Sequence, residues 1–397
     1  MNVDIAVIGS GVSGLSVAAH AVDKGMKVCI IEANPLALEY NATSRSAGIA
    51  TVQMEDTLDI RLAKRGIEII EVWSRRYGLS SIKRTGLLTI DGVDELRKYS
   101  SILNECNVRN TIYTSKEVTE WGWLNTNINE AIEEAYLYTY MDISMNPPEF
   151  FSSFAKELMN RGVIVLNGYG KVKINDDKEA SVLVKDISSS DITHVKSNVV
   201  VLCAGAWLSK DTLTYHHDEH GNSILDAIRR NIQTYIVPLV FIRYGEDRAK
   251  IHESIIPFDD EITGTYWITR GKDMLVGGDY TAWRVDDVGV YDSKYSTTSL
   301  TIDRGYVEHV IDALSRRVRG IRLEYSKIHY GPINITSDSR PIVGAIPYFK
   351  NLYILDGLRG YGLARAPALA EMLVNSIDNN NNKYIISEIS VSRFLDN

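Results

Sequence analysis

The sequence predicts an α/β protein: a doubly wound parallel-sheet domain assembled from separated segments, with two insertions forming a β-rich second domain. Three observations carry this. Residues 3–32 read strand, glycine turn, helix, strand. A wholly apolar run, Val199-Val200-Val201-Leu202-Cys203, has the pattern of a strand buried on both faces. Near the C-terminus Leu352-Tyr353-Ile354-Leu355 leads into glycines at 357, 360 and 362 and then a helix-like stretch containing Pro367, so the opening motif has a late counterpart.

Taken in order, Val3 to Ile8 is a buried strand, Ser13 to Lys24 a small-residue helix, and Lys27 to Ile31 a strand ending at Glu32. Pro35 to Gly48 reads as a loop and Leu58 to Tyr77 as a helix. From Thr85 the pattern changes to short strands, Leu87 to Ile90 and Ala135 to Tyr140, separated by charged helical pieces. Pro147-Pro148 starts a helix and Val163 to Leu166 is a strand. Residues 231–290 alternate in strand fashion, clearest at Ile236 to Ile242, Gly264 to Ile268 and Met274 to Val276. Thr301 to Arg317 is an amphipathic helix, and Asp378 to Asn382 a polar surface loop. The expected division is 1–84, 142–230 and 325–397 for the first domain, and 85–141 with 231–324 for the second.

Composition removes several classes of function. A net charge of −8, from 51 acidic and 43 basic residues without a basic block, makes nucleic acid an improbable partner. Cys29, Cys106 and Cys203 are far apart and form no CxxC or Cys/His cluster, so neither structural zinc nor a disulfide framework is expected, and no metal site. Val3 to Val7 begins almost at the initiator Met, leaving no room for a signal peptide, and no apolar run approaches the ~20 residues of a spanning helix. The expected location is cytoplasmic, with peripheral attachment to the inner face of a membrane, or to a partner subunit, left open.

Gly9-Ser10-Gly11-Val12-Ser13-Gly14 lies between strand and helix. Gly9 allows the tight turn, Gly11 the approach of a pyrophosphate, and Gly14 close packing of helix on strand. The helix N-terminus offers N–H groups and a positive dipole end to the phosphates. Glu32, ending the next strand, can accept both ribose hydroxyls of an adenosine and disfavours a 2′-phosphate. The unit alone leaves NAD and FAD open.

Four further stretches decide between them. Ala42-Thr43-Ser44-Arg45-Ser46-Ala47-Gly48, Val199 to Trp207 with Ala204-Gly205-Ala206-Trp207, Gly331 to Gly344 with Asp338-Ser339-Arg340-Pro341, and Gly357-Leu358-Arg359-Gly360-Tyr361-Gly362 resemble, in order and spacing, the D-amino-acid oxidase (DAO) superfamily of flavoproteins. The resemblance implies a Rossmann-like FAD-binding domain of the DAO / glutathione-reductase-2 type with an inserted β-rich α+β substrate domain. It also implies noncovalent FAD, because Gly331 stands where sarcosine oxidases carry the linking cysteine. By the same comparison Ala33 and Thr43 to Gly48 contact the cofactor, and Val172 reads the adenine edge through its backbone. Ala204, Gly205 and Trp207 pass the adenosine side, while Asp338, Arg340, Arg359, Gly360, Tyr361, Gly362 and Leu363 surround the isoalloxazine. A helix starting near Gly362 would aim its N-terminus at the ring edge that becomes negative on reduction.

The reaction so implied is oxidation of the C–N bond of an amino acid, either a D-amino acid or a proline- or sarcosine-like secondary amine, by hydride transfer from Cα to flavin N5. Relatives grip the substrate carboxylate with an arginine where this chain has Ile333, or a lysine where it has Ala364. Arg230, Arg270, Arg45, Arg359 and Arg365 are the alternative cations, or else surface and packing charges. Tyr266 with Trp267 falls where relatives place a substrate-facing tyrosine or else an inter-sheet core pair; Tyr235 and Tyr361 are further candidates. Leu275 replaces the lysine that promotes reaction with oxygen in sarcosine oxidases, which favours a quinone, dye or partner protein as electron acceptor. Two other readings stay open: a 2-hydroxyacid or glycerol-phosphate dehydrogenase, and the flavin subunit of a larger dehydrogenase.

Overall fold

The computed structural model describes residues 1–33, 41–175, 177–189, 191–208, 213–214, 219–244, 255–271, 274–285, 304–320, 322–379 and 384–395. Parts of four expected stretches lie outside these residues: the loop from Pro35 to Tyr40, residues 245–254, 272–273 and 286–290 of the alternating run, the helix start at Thr301 to Asp303, and the polar run from Asn380 to Asn382.

The first sheet is built on parallel pairing. Strand Asn2–Ile8 lies between Val28–Glu32 and the C-terminal half of Ile192–Leu202, which in turn pairs with Leu352–Asp356. Successive side chains of the first strand feed opposite faces: Ile5 and Val7 join one apolar cluster, Ala6 and Ile8 another. That alternation is what a strand covered on both faces requires. Two strands run longer than their apolar cores suggest. Ile164–Ile174 pairs parallel with Val28–Glu32 up to Asn167, then antiparallel with Ala180–Asp186 from Gly168. Ile192–Leu202 divides in the same way at Val195/Lys196. The polar halves form an antiparallel ribbon that the apolar-run criterion does not detect.

Three helices cover one face. Gly362–Asp378 packs against both Val12–Asp23 and Thr57–Tyr77. The approach to the latter is close enough that a Cβ on Gly66 would lie 1.8 Å from the Ala364 carbonyl oxygen, so only glycine fits there. Pro367 is the sixth residue of its helix, and the carbonyl of Pro367 accepts from or faces His20 Nε2 at 3.0 Å.

Among the described residues the second sheet has nine strands, with Ile232–Tyr244 and Leu323–Thr336 paired over 13 register positions. The chain from 325 to Thr336, assigned by patterning to the first domain, therefore continues this sheet; the first sheet resumes at Ile342–Ala345. Helix Arg304–Arg317 is fastened to the sheet by Arg317, fully buried, which donates to Asp260 at 2.8 Å and Glu134 at 2.9 Å. Both carboxylates and the guanidinium are satisfied by one another and by Tyr136, the condition under which buried charges are tolerated.

Candidate active site

The two sheets meet at a cavity of about 740 Å³, within the ordinary range of small-molecule sites. Its first wall is the glycine turn after Asn2–Ile8. Gly9 has φ +102°, and a Cβ there would lie 2.3 Å from the Cys203 carbonyl oxygen; one on Gly14 would lie 1.9 Å from the Gly9 oxygen. Gly11 differs, because its Cβ would touch only Thr43 Oγ1 at 3.4 Å and faces the cavity. Thr43 Oγ1 accepts from Val12 N at 2.9 Å, coupling the second loop to the helix start. Glu32 accepts from Ser10 N and Ser10 Oγ, both at 2.7 Å, which places its carboxylate beside the turn.

Of the residues expected at a cofactor, Gly9 to Ser13, Glu32, Ala33, Thr43, Arg45 to Gly48, Ala204, Gly205, Trp207 and Arg359 to Leu363 line this one cavity. Gly14 stands behind it. Ser44 is turned inward, its N–H donating to Asn41 Oδ1 at 2.9 Å. Val172 is buried in the antiparallel ribbon and off the lining, while Gly168 to Lys171, the stretch before it, reach the cavity instead. Asp338 and Arg340 lie away from it, engaged with Arg393 at 2.7 Å and Asp56 at 3.3 Å.

The candidate cations separate. Arg230 is exposed at the end of helix Glu219–Arg230, outside the cavity. Arg270 also lies off the lining. Its Nη2 donates to the carbonyls of Ser46 and Ala47 at 2.7 and 2.8 Å, so it braces the 43–48 loop from behind, and burial lowers its pKa to about 10. Arg365 is fully buried, bonded to Asp59 at 2.6 Å and the Leu358 carbonyl at 2.5 Å, and thereby holds the late glycine turn. Arg45 lines the cavity and donates to the Tyr330 carbonyl at 2.9 Å. Arg359 lines it over the Tyr361 ring, with Nη2 3.4 Å from Glu55.

Ile333, Ala364, Tyr266 and Tyr361 line the cavity; Trp267 and Leu275 are buried in the second sheet's core, and Tyr235 donates to Gln233 at 3.2 Å away from it. Three groups escape sequence reasoning. Asp356 ends its strand fully enclosed, accepting from Gly357 N at 2.7 Å and from Asn334, whose side chain also donates to the Gly205 carbonyl at 2.7 Å. Burial pushes that carboxyl up to about 6 against those hydrogen bonds. Asp259 receives the Tyr280 hydroxyl at 2.8 Å and is pushed up to about 8, first by burial and then by Glu261, Asp260 and Asp91. Tyr280 stacks on Tyr266 at 4.8 Å, and Trp283 lies against Gly360, whose added Cβ would be 3.3 Å from its ring. The adjacent acids in Phe258-Asp259-Asp260 are the only signal in the sequence. Which of them faces the cavity depends on Arg317, far along the chain.

Among the described residues no group of three or more His, Cys, Asp or Glu could hold a metal ion, and no helix is long and apolar enough to cross a membrane. The three cysteines are buried and unpaired.

Comparison with known proteins agrees with this architecture. L-proline dehydrogenase from P. horikoshii superposes with a TM-score of 0.80 at 23% identity, over 99% of this chain and 97% of that one. Glycine oxidase from Geobacillus kaustophilus superposes with a TM-score of 0.75 at 18% identity, over 99% of each chain. At such identities the likeness speaks for the fold alone. In sequence, the probable oxidoreductase OrdL of Haemophilus influenzae is 22% identical over 395 residues, 94% of this chain and 82% of that protein. The FAD dependent oxidoreductase (DAO) family matches residues 4–376, nearly the whole chain, and the glycine turn, bare Gly11 and neighbouring Glu32 fit its cofactor: this protein belongs to the FAD-dependent oxidoreductases of the DAO family.

Proposed function

We propose that the chain oxidises the C–N bond of a small amine, amino acids included, with D-amino acids and proline- or sarcosine-like secondary amines the first classes to examine. The observation that carries this reading is the aromatic end of the cavity, where Tyr266, Tyr280, Trp283 and Tyr361 stand before the late glycine turn. The names of two structural neighbours, a proline dehydrogenase and a glycine oxidase, point to the same substrate atom. When bound, FAD supplies the two-electron acceptor for a hydride leaving the carbon next to nitrogen, and the imine product hydrolyses.

The chain's own residues bind and orient. The Gly9–Ser13 backbone and the first turn of helix Val12–Asp23 would hold the pyrophosphate, and Glu32 the adenosine ribose. Thr43 to Gly48, braced by Arg270, would flank the redox ring together with Gly360 to Leu363. The N-terminus of helix Gly362–Asp378 would offer fixed N–H donors to negative charge developing on a ring held there, without reorganisation. The aromatic side chains exclude water from the reacting bond. Attachment of the cofactor is noncovalent in this reading. Cys203, the one cysteine on the lining, sits beside Gly9, in the turn that would hold the pyrophosphate, and burial holds its thiol protonated.

The electron acceptor we infer is a quinone, dye or protein rather than oxygen. Among the described residues the lysines on the lining are Lys171 and Lys185, in the ribbon at the adenosine end, which leaves no lysine at the aromatic end to promote the oxygen reaction. Anaerobic titration with a panel of amines, D- and L-amino acids and 2-hydroxy acids, followed by flavin absorbance, tests the proposal. Bleaching by at least one member is expected. A flavin that stays oxidised throughout, or is reduced only by hydroxy acids, overturns it, and rapid oxygen consumption would overturn the acceptor assignment.

A further inference from the structure

At the aromatic end one carboxylate oxygen has nothing to bind. Asp259 Oδ2 accepts from Tyr280, but Oδ1 is buried without a hydrogen-bond partner among the described residues, as is Trp283 Nε1. Tyr266, Tyr280, Trp283 and Tyr361 line the cavity together with this carboxylate. Tyr266 stacks on Tyr280 at 4.8 Å, Trp283 meets Tyr280 edge-on at 6.1 Å, and the phenol of Tyr361 is raised first by burial and then by the charge of Asp259. The face of an aromatic ring is negative, so rings and carboxylate favour the same ligand feature, a cation with N–H donors.

An anion would be poorly received. The negative charges of Glu261, Asp260 and Asp91 bear on the same carboxyl, that of Asp260 offset by Arg317, which is spent on it and on Glu134. Of the lining cations, Lys171 and Lys185 are remote and Arg45 is engaged with the Tyr330 carbonyl; Arg359 lies over the Tyr361 ring and reaches Glu55 through Nη2 at 3.4 Å, its buried Nε lacking a hydrogen-bond partner among the described residues. The absence of an arginine at Ile333 and of a lysine at Ala364 fits the same picture, because a substrate read through its nitrogen does not need them.

We propose that Asp259, walled by Tyr266, Tyr280, Trp283 and Tyr361, is an ammonium-binding subsite, and that the substrate is an alkylamine recognised through its cationic nitrogen rather than through an α-carboxylate. This rests on the amine-oxidising reading above. The proton balance is simple. One N–H proton of the bound ammonium passes to the Asp259 carboxylate, leaving a neutral carboxylic acid and an amine with a free lone pair, the form whose C–N bond can be oxidised. No electrons move in that step. A carboxyl pushed up to about 8 is closer to an amine in proton affinity than an ordinary aspartate is. The other groups facing it, Asp91, Asp260, Glu261 and the phenols of Tyr266, Tyr280 and Tyr361, are acids, so none competes as a cation.

The test is anaerobic calorimetric binding to the FAD-loaded full chain with its flavin reduced beforehand by dithionite, which reads recognition without turnover. Three probes are used: butylamine, butan-1-ol as its neutral counterpart, and norvaline, which is butylamine carrying an α-carboxylate. Butylamine should bind at least about tenfold more tightly than either of the others, and should tighten by nearly tenfold per pH unit as pH rises towards 8, with one proton released per cation bound at pH 7. Asp259→Asn should erase the preference and the proton release while leaving butan-1-ol binding and FAD content unchanged. Tyr280→Phe, which removes only the hydroxyl that holds the carboxylate, should weaken butylamine binding by a smaller factor, and serves as the reporter if Asp259→Asn does not fold. Butylamine binding no more tightly than butan-1-ol, norvaline binding more tightly than butylamine, or a preference retained in both variants overturns the subsite. In the anaerobic panel, reduction by amino acids with no amine preference would leave the amine-oxidising reading intact while removing this one; a flavin unreduced by any nitrogen compound would remove that reading itself.

Discussion

The two glycine turns follow buried parallel strands and open helices, yet they tolerate a methyl group very differently. In the first, an added Cβ runs into main chain: 2.3 Å from the Cys203 oxygen at Gly9, 1.9 Å from the Gly9 oxygen at Gly14. In the second, it meets side chains: 3.3 Å from Trp283 at Gly360, 3.4 Å from Val12 at Gly362. Backbone cannot move aside without dismantling the strand, whereas a ring edge can. The early turn is therefore closed by main chain, its own and that of Cys203, and the late one is shaped by side chains, those of Trp283, Val12 and, at Gly357, Thr336.

The largest effect should come from the closed turn. Gly14→Ala is expected to cost at least about 3 kcal/mol, since neither the Gly9 carbonyl nor the helix start can relax, and to abolish FAD retention. Thermal denaturation and bound-flavin content check this, and a variant that keeps both would show the turn to be plastic.

Asp356, which leads into the late turn, separates the two regions by pH. Its folded carboxyl stands near 6, above its ordinary 3.8, so its contribution is fully present below about pH 4 and is lost as pH rises through 6. Across that window this one group should weaken the folded state by roughly 3 kcal/mol, a slope that Asp356→Asn lacks. Denaturant unfolding of the two proteins at pH 4.5 and 7.5 measures the difference. Parallel behaviour would mean that Asp356 titrates normally in the fold.

Glu32→Gln removes the charge beside the early turn but keeps an acceptor for Ser10. FAD should bind roughly tenfold more weakly, with little change in melting temperature. A fluorescence titration of the apoprotein with FAD decides it. The smallest effect belongs to the open turn: Gly360→Ala should cost less than about 1 kcal/mol, because the Trp283 ring can give way. Combining it with Trp283→Leu should remove even that cost, and additive effects in the double-mutant cycle would show that the two residues are not in contact.

Much of the first domain was legible in the sequence because its determinants are local. The strand Asn2–Ile8, its glycine turn, the helix and Glu32 lie within 32 residues, and each sits where alternation and turn chemistry put it. The antiparallel ribbon was missed because Gly168 to Ile174 alternates at the surface rather than reading as an apolar run. Arg270 illustrates the limit differently: as a residue type it suited a substrate carboxylate, but its guanidinium is consumed by the Ser46 and Ala47 carbonyls. Neither carbonyl can be paired with it from sequence spacing.

By itself, then, the sequence determined the α/β class, the order of the parallel strands' motifs and the glycines that leave backbone bare for a cofactor, since these follow from side-chain period and φ preference over a few residues. Only the tertiary structure decided which charges remain available. Asp260 is neutralised by Arg317 and Asp259 is not, although they are neighbours in one strand, because alternate residues of a strand face opposite ways and the partner arrives from a helix more than fifty positions later.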